Sequence, residues 1–105
     1  MEYEVIISPE VFEKIQSIAS YIRVVFLSEI SAQKVADEIF DDLENLSTFP
    51  ELGFDADEKV GKQILPPYQT RGIVTNEYLA FYQIVGNQVR VTHLVPAKSD
   101  YRKLF

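Results

Sequence analysis

Apolar residues recur along the chain in two different rhythms. Tyr3, Val5 and Ile7 alternate with Glu4 and Ile6, the two-residue period of a strand. Ser8-Pro9-Glu10 follows as an N-cap, a proline at the first helical position and an acid facing the helix dipole. Phe12, Ile15, Ile18, Ala19, Ile22 and Val25 then fall at spacings of three and four, which predicts one apolar face of a helix running to about Phe26. Leu27-Ser28-Glu29-Ile30-Ser31 breaks the pattern and offers Ser28 and Ser31 as caps for a second helix. That helix presents Val35, Ala36, Ile39, Leu43 and Leu46, and ends at Phe49-Pro50, where the proline disfavours helix in the residue before it. So short a turn makes the two helices antiparallel neighbours.

Residues 50–68 lose both rhythms, with prolines at 50, 66 and 67, glycines at 53 and 61, and the acids of Asp55-Ala56-Asp57-Glu58. They read as a long loop with a short strand near Gln63-Ile64-Leu65, and loops of this length inside a compact domain are commonly functional. The strand period returns in Arg71–Val74, Tyr78–Val85 and Gln88–Val95, all rich in β-branched and aromatic residues. Gly86-Asn87 is a two-residue hairpin signal between the last two, and Asn76-Glu77 turns the pair before. The tail from Ala97 to Phe105 is short and basic and fits a final helical turn. The predicted fold is α+β, in the order β-α-α-β-β-β, with an antiparallel helix hairpin on one face of a mostly antiparallel sheet.

With 105 residues, 47% of them hydrophobic, the chain is expected to form a single domain over 1–105 and not a disordered segment. Its longest uninterrupted apolar run, Val24-Val25-Phe26-Leu27, is far short of the roughly 20 residues that span a bilayer. The acidic start at Met1-Glu2-Tyr3-Glu4 has no signal-peptide character, and the absence of cysteine suits a cytoplasmic location without a membrane partner.

Charge changes this picture more than composition does. The formal charge is −6, but residues 1–58 hold fourteen acids and three bases, whereas residues 59–105 hold two acids and seven bases. Halves at −11 and +5 suggest two surfaces that meet different partners. Nucleic-acid binding over the whole surface is incompatible with so much acid, which leaves a local basic site in the C-terminal half.

Most familiar chemistries are missing. The chain has no phosphate-cradling glycine loop and no nucleophile elbow, and one histidine without cysteine cannot build a His/Cys zinc site. Asp55-Ala56-Asp57 resembles the start of a calcium loop, but Val60 stands where its glycine is required and Pro66 where its closing glutamate belongs. No metal or cofactor is expected. His93 is the one side chain that ordinarily titrates near neutrality, and strand alternation places it with Val89, Val91 and Val95. Arg71 lies beside Gly72, which permits close approach of a backbone or ligand, and its fork suits phosphate or carboxylate. Lys98, Tyr101, Arg102 and Lys103 form a basic-aromatic tail suited to RNA phosphates and bases or to an acidic protein groove.

In these segments the chain resembles the RelE/ParE superfamily of bacterial toxins. The resemblance rests on residues 3–10, on Ile18-Ala19-Ser20-Tyr21-Ile22, and on Ala36–Leu46 followed by Phe49-Pro50-Glu51-Leu52-Gly53. It continues through Arg71-Gly72, Tyr78–Ile84 and Lys98-Ser99-Asp100-Tyr101, and so covers nearly the whole chain. It implies the fold already read, and a cognate antitoxin with which the toxin forms a hetero-oligomer. RelE-like members cut mRNA on the ribosome, whereas ParE-like members poison DNA gyrase by binding it. The arginine that RelE-like sequences carry after the residue matching Tyr78 is Leu79 here, and Pro96 stands where many members have histidine. Lys98 keeps a basic residue where the family often has arginine, and Arg71 matches a frequent strand arginine. The resemblance therefore implies a ParE-like toxin that presents Arg71, Lys98, Arg102 and Lys103 to its target. Two alternatives stay open. One is a metal-independent mRNA endonuclease using Arg71, Lys98, Tyr101 and His93. The other is a non-toxic homologue that only forms the complex and regulates its own operon.

Overall fold

The computed structural model describes residues 2–105. Its elements are β1 (Glu4–Ile7), α1 (Pro9–Val25), α2 (Glu29–Glu44), a 3₁₀ turn at Asn45–Ser47, β2 (Phe54–Asp55), α3 (Ala56–Val60), β3 (Thr70–Thr75), β4 (Tyr78–Val85), β5 (Gln88–Pro96) and a closing 3₁₀ turn at Tyr101–Leu104. The helix starts follow from their caps. Ser8 Oγ accepts from the Val11 amide at 3.2 Å with Pro9 first in the helix, and Ser28 Oγ, not Ser31, accepts from Ser31 N at 3.0 Å.

The five strands lie in the order β1-β5-β4-β3-β2. Every pairing is antiparallel except that of β1 with β5, which sets Val5 beside Val89 and Ile7 beside Val91. The helix hairpin covers one face of this sheet. Val11 and Ile15 of α1 and Ile39 and Leu43 of α2 meet Ala80, Tyr82, Val89 and Val91 there, all nearly or fully buried. Thr75 Oγ1 donates to Asp42 at 2.7 Å and ties β3 to α2 beside this core. The opposite face carries a second, smaller cluster of Leu79, Phe81 and Val95 with Ala56 and Ile64, which the C-terminal residues help to cover.

The expected α+β arrangement holds, with three corrections. No strand forms at residues 63–65; the segment before it supplies β2 and α3 instead, because Asp55 caps α3 by accepting from Glu58 N at 3.1 Å. Asp57 then accepts from the amides of Ile64 at 2.9 Å and Thr70 at 3.1 Å, so the acids that resembled a calcium loop are occupied by backbone. On α1, Val11 is buried while Phe12 and Val25 stay 48% and 52% exposed, so the apolar stripe sits slightly around the helix from its expected place.

The last correction concerns His93. Tyr82 pairs with Val91 but Phe81 with His93, which leaves Thr92 as a bulge. The extra residue reverses the facing of everything after it. His93 therefore lies on the side of Phe81 and Val95, away from Val89 and Val91. Among the described residues no helix is long and apolar enough to cross a membrane.

Candidate functional site

Arg71 and Tyr82 are cross-strand neighbours on the helix side of the sheet, and together they hold the turn that follows α2. The Tyr82 hydroxyl donates to Pro50 O at 2.7 Å and accepts from Gly53 N at 2.8 Å. The Arg71 guanidinium donates to Gly53 O at 2.9 Å and more weakly to Glu51 O at 3.4 Å. A Cβ on Gly53 would lie 2.7 Å from both Gly72 O and the Tyr82 hydroxyl, and one on Gly72 would lie 2.7 Å from the Phe54 ring, so both glycines are required by close approach. Burial raises the Tyr82 pKa above its ordinary value, against the pull of the Gly53 amide and of Arg71. Gly72 does admit a neighbour, as its position beside Arg71 suggested. That neighbour is Phe54.

The other candidates lie across the sheet. His93 stands against the Phe105 ring at 5.1 Å and the Phe81 ring at 6.4 Å between centroids, and Tyr101 and Phe105 each sit edge-on to Phe81 at 5.5 and 5.4 Å. Thr92 Oγ1 lies 3.3 Å from Phe81 O, to which it donates, and 2.9 Å from His93 Nδ1. Desolvation lowers the His93 pKa, opposed by the charge of Glu10. Glu10, Lys14, His93 and Phe105 line a cleft of about 270 Å³ between α1 and β5.

Lys98 is exposed at the far end of the β4–β5 pair and borders a shallow cleft with Glu77, Tyr78 and Pro96. Arg102 and Lys103 are exposed on the closing 3₁₀ turn, and the 3.9 Å contact of Lys103 with Asp100 lies fully in solvent, where it contributes little. His93 and Tyr101 are thus brought together around Phe81, with Lys98, Arg102 and Lys103 on the same C-terminal segment. Arg71 is on the opposite face. Leu79, at the place where an RNA-cleaving relative carries arginine, is 3% exposed in the smaller core.

Two features of this surface escaped sequence reasoning. The first is the Tyr82–Gly53 latch, whose partners are 29 residues apart and whose chemistry no local pattern marks. The second is the exposed apolar tip of the helix hairpin, from Val24 to Ile30. A signal for it was present: four consecutive apolar residues at a turn, where polar ones belong.

A helix hairpin on one face of a mostly antiparallel sheet, with a short cationic tail folded over the other, defines the RelE/ParE class of toxins. A family model described as the ParE toxin of the parDE type II toxin–antitoxin system matches residues 5–101. The fold is similar to that of a chain from the chromosomal ParDE TA system of P. aeruginosa, with a TM-score of 0.70 over 90% of this chain and 96% of that one at 11% identity. No curated protein sequence matches the chain. The chain belongs to the ParE toxin family: it is the toxin component of a type II toxin–antitoxin pair, and a cognate antitoxin is its partner.

Proposed function

We propose that this toxin acts by binding DNA gyrase through the cations of its C-terminal segment, Lys98, Arg102 and Lys103, and does not cleave RNA. The observation that carries this reading is the composition of the sheet face turned away from the helices. An RNase there needs cations aimed at a phosphate and at the charge developing in the transition state. That face instead presents Leu79, Phe81 and Val95 under the rings of Tyr101 and Phe105. Arg71 is on the other side and holds two carbonyls, while Arg90, exposed on the away face where β5 pairs with Gln83, turns its Nε to Gln88 Oε1. His93 has a hydroxyl and two aromatic rings as its nearest neighbours, and the cation lining its cleft, Lys14, comes from α1 together with the carboxylate of Glu10. The exposed cations of the tail suit an acidic protein surface, where charge complementarity speeds and orients docking.

Two measurements test this. Purified toxin should inhibit gyrase supercoiling, and the variant Lys98→Glu/Arg102→Glu/Lys103→Glu should need at least tenfold more protein for the same inhibition while melting as the parent does. Primer extension on abundant transcripts a few minutes after induction should find them intact. New ends inside translated regions, with gyrase unaffected, would replace this reading with ribosome-dependent cleavage.

A further inference from the structure

The turn between α1 and α2 is made of residues that a solvated turn does not need. Val24, Phe26 and Leu27 expose 67%, 66% and 87% of their surface, and Ile30 exposes 83% three residues later. Leu27 also holds φ at 51°, a left-handed conformation that glycine or asparagine adopts readily and leucine does not. The Tyr21 ring packs edge-on against Phe26 at 6.3 Å between centroids, so the apolar knob is preformed.

From Ile30 an open groove runs along α2, past Lys34, to Asp37, Glu38, Asp41 and Asp42. Asp37, Glu38 and Asp42 accept hydrogen bonds from the neutral side chains of Gln33, Asn76 and Thr75. Among the described residues none of the four carboxylates has a cationic side chain within 4.0 Å. An apolar knob that continues into an uncompensated acidic stripe has a definite complement.

We infer that this surface seats a cationic amphipathic helix of the cognate antitoxin, with apolar side chains over Phe26, Leu27 and Ile30 and Lys or Arg over the α2 carboxylates. The span from Ile30 to Asp42 at the helical rise is about 18 Å, which asks for about three turns of partner helix. A second copy meeting this face with its own hairpin face is the wrong occupant, because it would set acid against acid. The antitoxin identity rests on the toxin–antitoxin assignment. The surface chemistry rests on the residues alone, and it separates the face that is neutralised from the cationic tail that meets the target.

The test uses Leu27→Asn with Ile30→Gln, since asparagine accepts the left-handed backbone and both sites are exposed. Calorimetry with purified cognate antitoxin should show at least a tenfold higher Kd for this variant, and a comparable rise for Asp37→Lys with Asp41→Lys. The wild-type Kd should rise with added salt. In cells the apolar variant should still arrest growth but escape neutralisation by co-expressed antitoxin. Unchanged Kd with full neutralisation would overturn the inference. So would loss of toxicity in a variant that melts normally, which would make the tip a target surface. A wild-type chain that failed to arrest growth would count against the proposed mode of action, whereas the calorimetric comparison would still decide whether the tip is the antitoxin's seat.

Discussion

Replacing Tyr82 by Phe removes one oxygen atom and separates the structural use of this strand pair from any use in toxicity. The side chain is fully buried, and its hydroxyl serves Pro50 O at 2.7 Å and Gly53 N at 2.8 Å. The ring fills the main core in either residue, so packing is preserved and the change is confined to two hydrogen bonds. Each is worth about 1 kcal/mol net, and stranding the Gly53 amide away from water adds about as much again, giving a loss of about 2–3 kcal/mol. Water cannot repair the site, because a mere Cβ on Gly53 would already lie 2.7 Å from Gly72 O. In a domain of this size such a loss lowers Tm on the order of 10–20 °C. Urea unfolding followed by circular dichroism should show the midpoint falling with the slope m unchanged. A loss below about 0.5 kcal/mol would refute the latch as an energetic element and leave its two short contacts as coincidences of packing.

Three further outcomes follow from the same geometry. Arg71→Met, which keeps the stem and deletes the fork, should cost about 1–2 kcal/mol in urea unfolding and leave toxicity intact at permissive temperature; unchanged stability with toxicity lost would move Arg71 to the target surface. Gly53→Ala should cost about 1–3 kcal/mol by overpacking against Gly72 and Tyr82, and a melting curve matching wild type would show that the turn yields freely. The folded His93 binds its proton more weakly than the unfolded chain, whose pKa is near 6.5. Its contribution to stability is therefore complete above about pH 6.5 and is lost as pH falls from there towards the lower folded pKa. His93→Gln should flatten that acid limb in thermal melts between pH 7.5 and 5; equal acid sensitivity in both proteins would exclude His93 as its source.

The helices were legible because their information is local. Ser8-Pro9 and Ser28 are caps readable within four residues, and the stripes through Ile15, Ala19, Ile39 and Leu43 repeat at the helical period. The three long strands were legible for the same reason. What escaped depends on a second strand or a distant residue. Alternation along Gln88–Val95 cannot reveal that Thr92 is supernumerary, because a bulge is defined by the partner's register, and so His93 was expected on the wrong face. Arg71 was read as a ligand-binding fork when its ligands are carbonyls 18 and 20 residues earlier in the same chain. In the loop, Gln83 Nε2 reaches Leu65 O at 2.7 Å, Tyr68 O at 3.1 Å and Thr70 Oγ1 at 3.1 Å. That order comes from a strand still to follow in the sequence. The charge asymmetry was the most informative global number, since it divides the molecule into an acidic hairpin and a cationic tail.

The parallel pairing of β1 with β5 has a consequence for synthesis. Glu4 lies beside Gln88 and Ile7 beside Val91, so the first strand has no place in the sheet until the last strand has left the ribosome. Domains form as their segments emerge, at roughly 5–20 residues per second. Until β5 has emerged, the sheet lacks the strand that joins β1 to β4. The residues that cover Phe81 and carry Arg102 and Lys103 follow β5 in the chain and so emerge after it. The smaller core around Phe81 therefore closes only after β5 has emerged, when β1 can also take its place at the sheet edge.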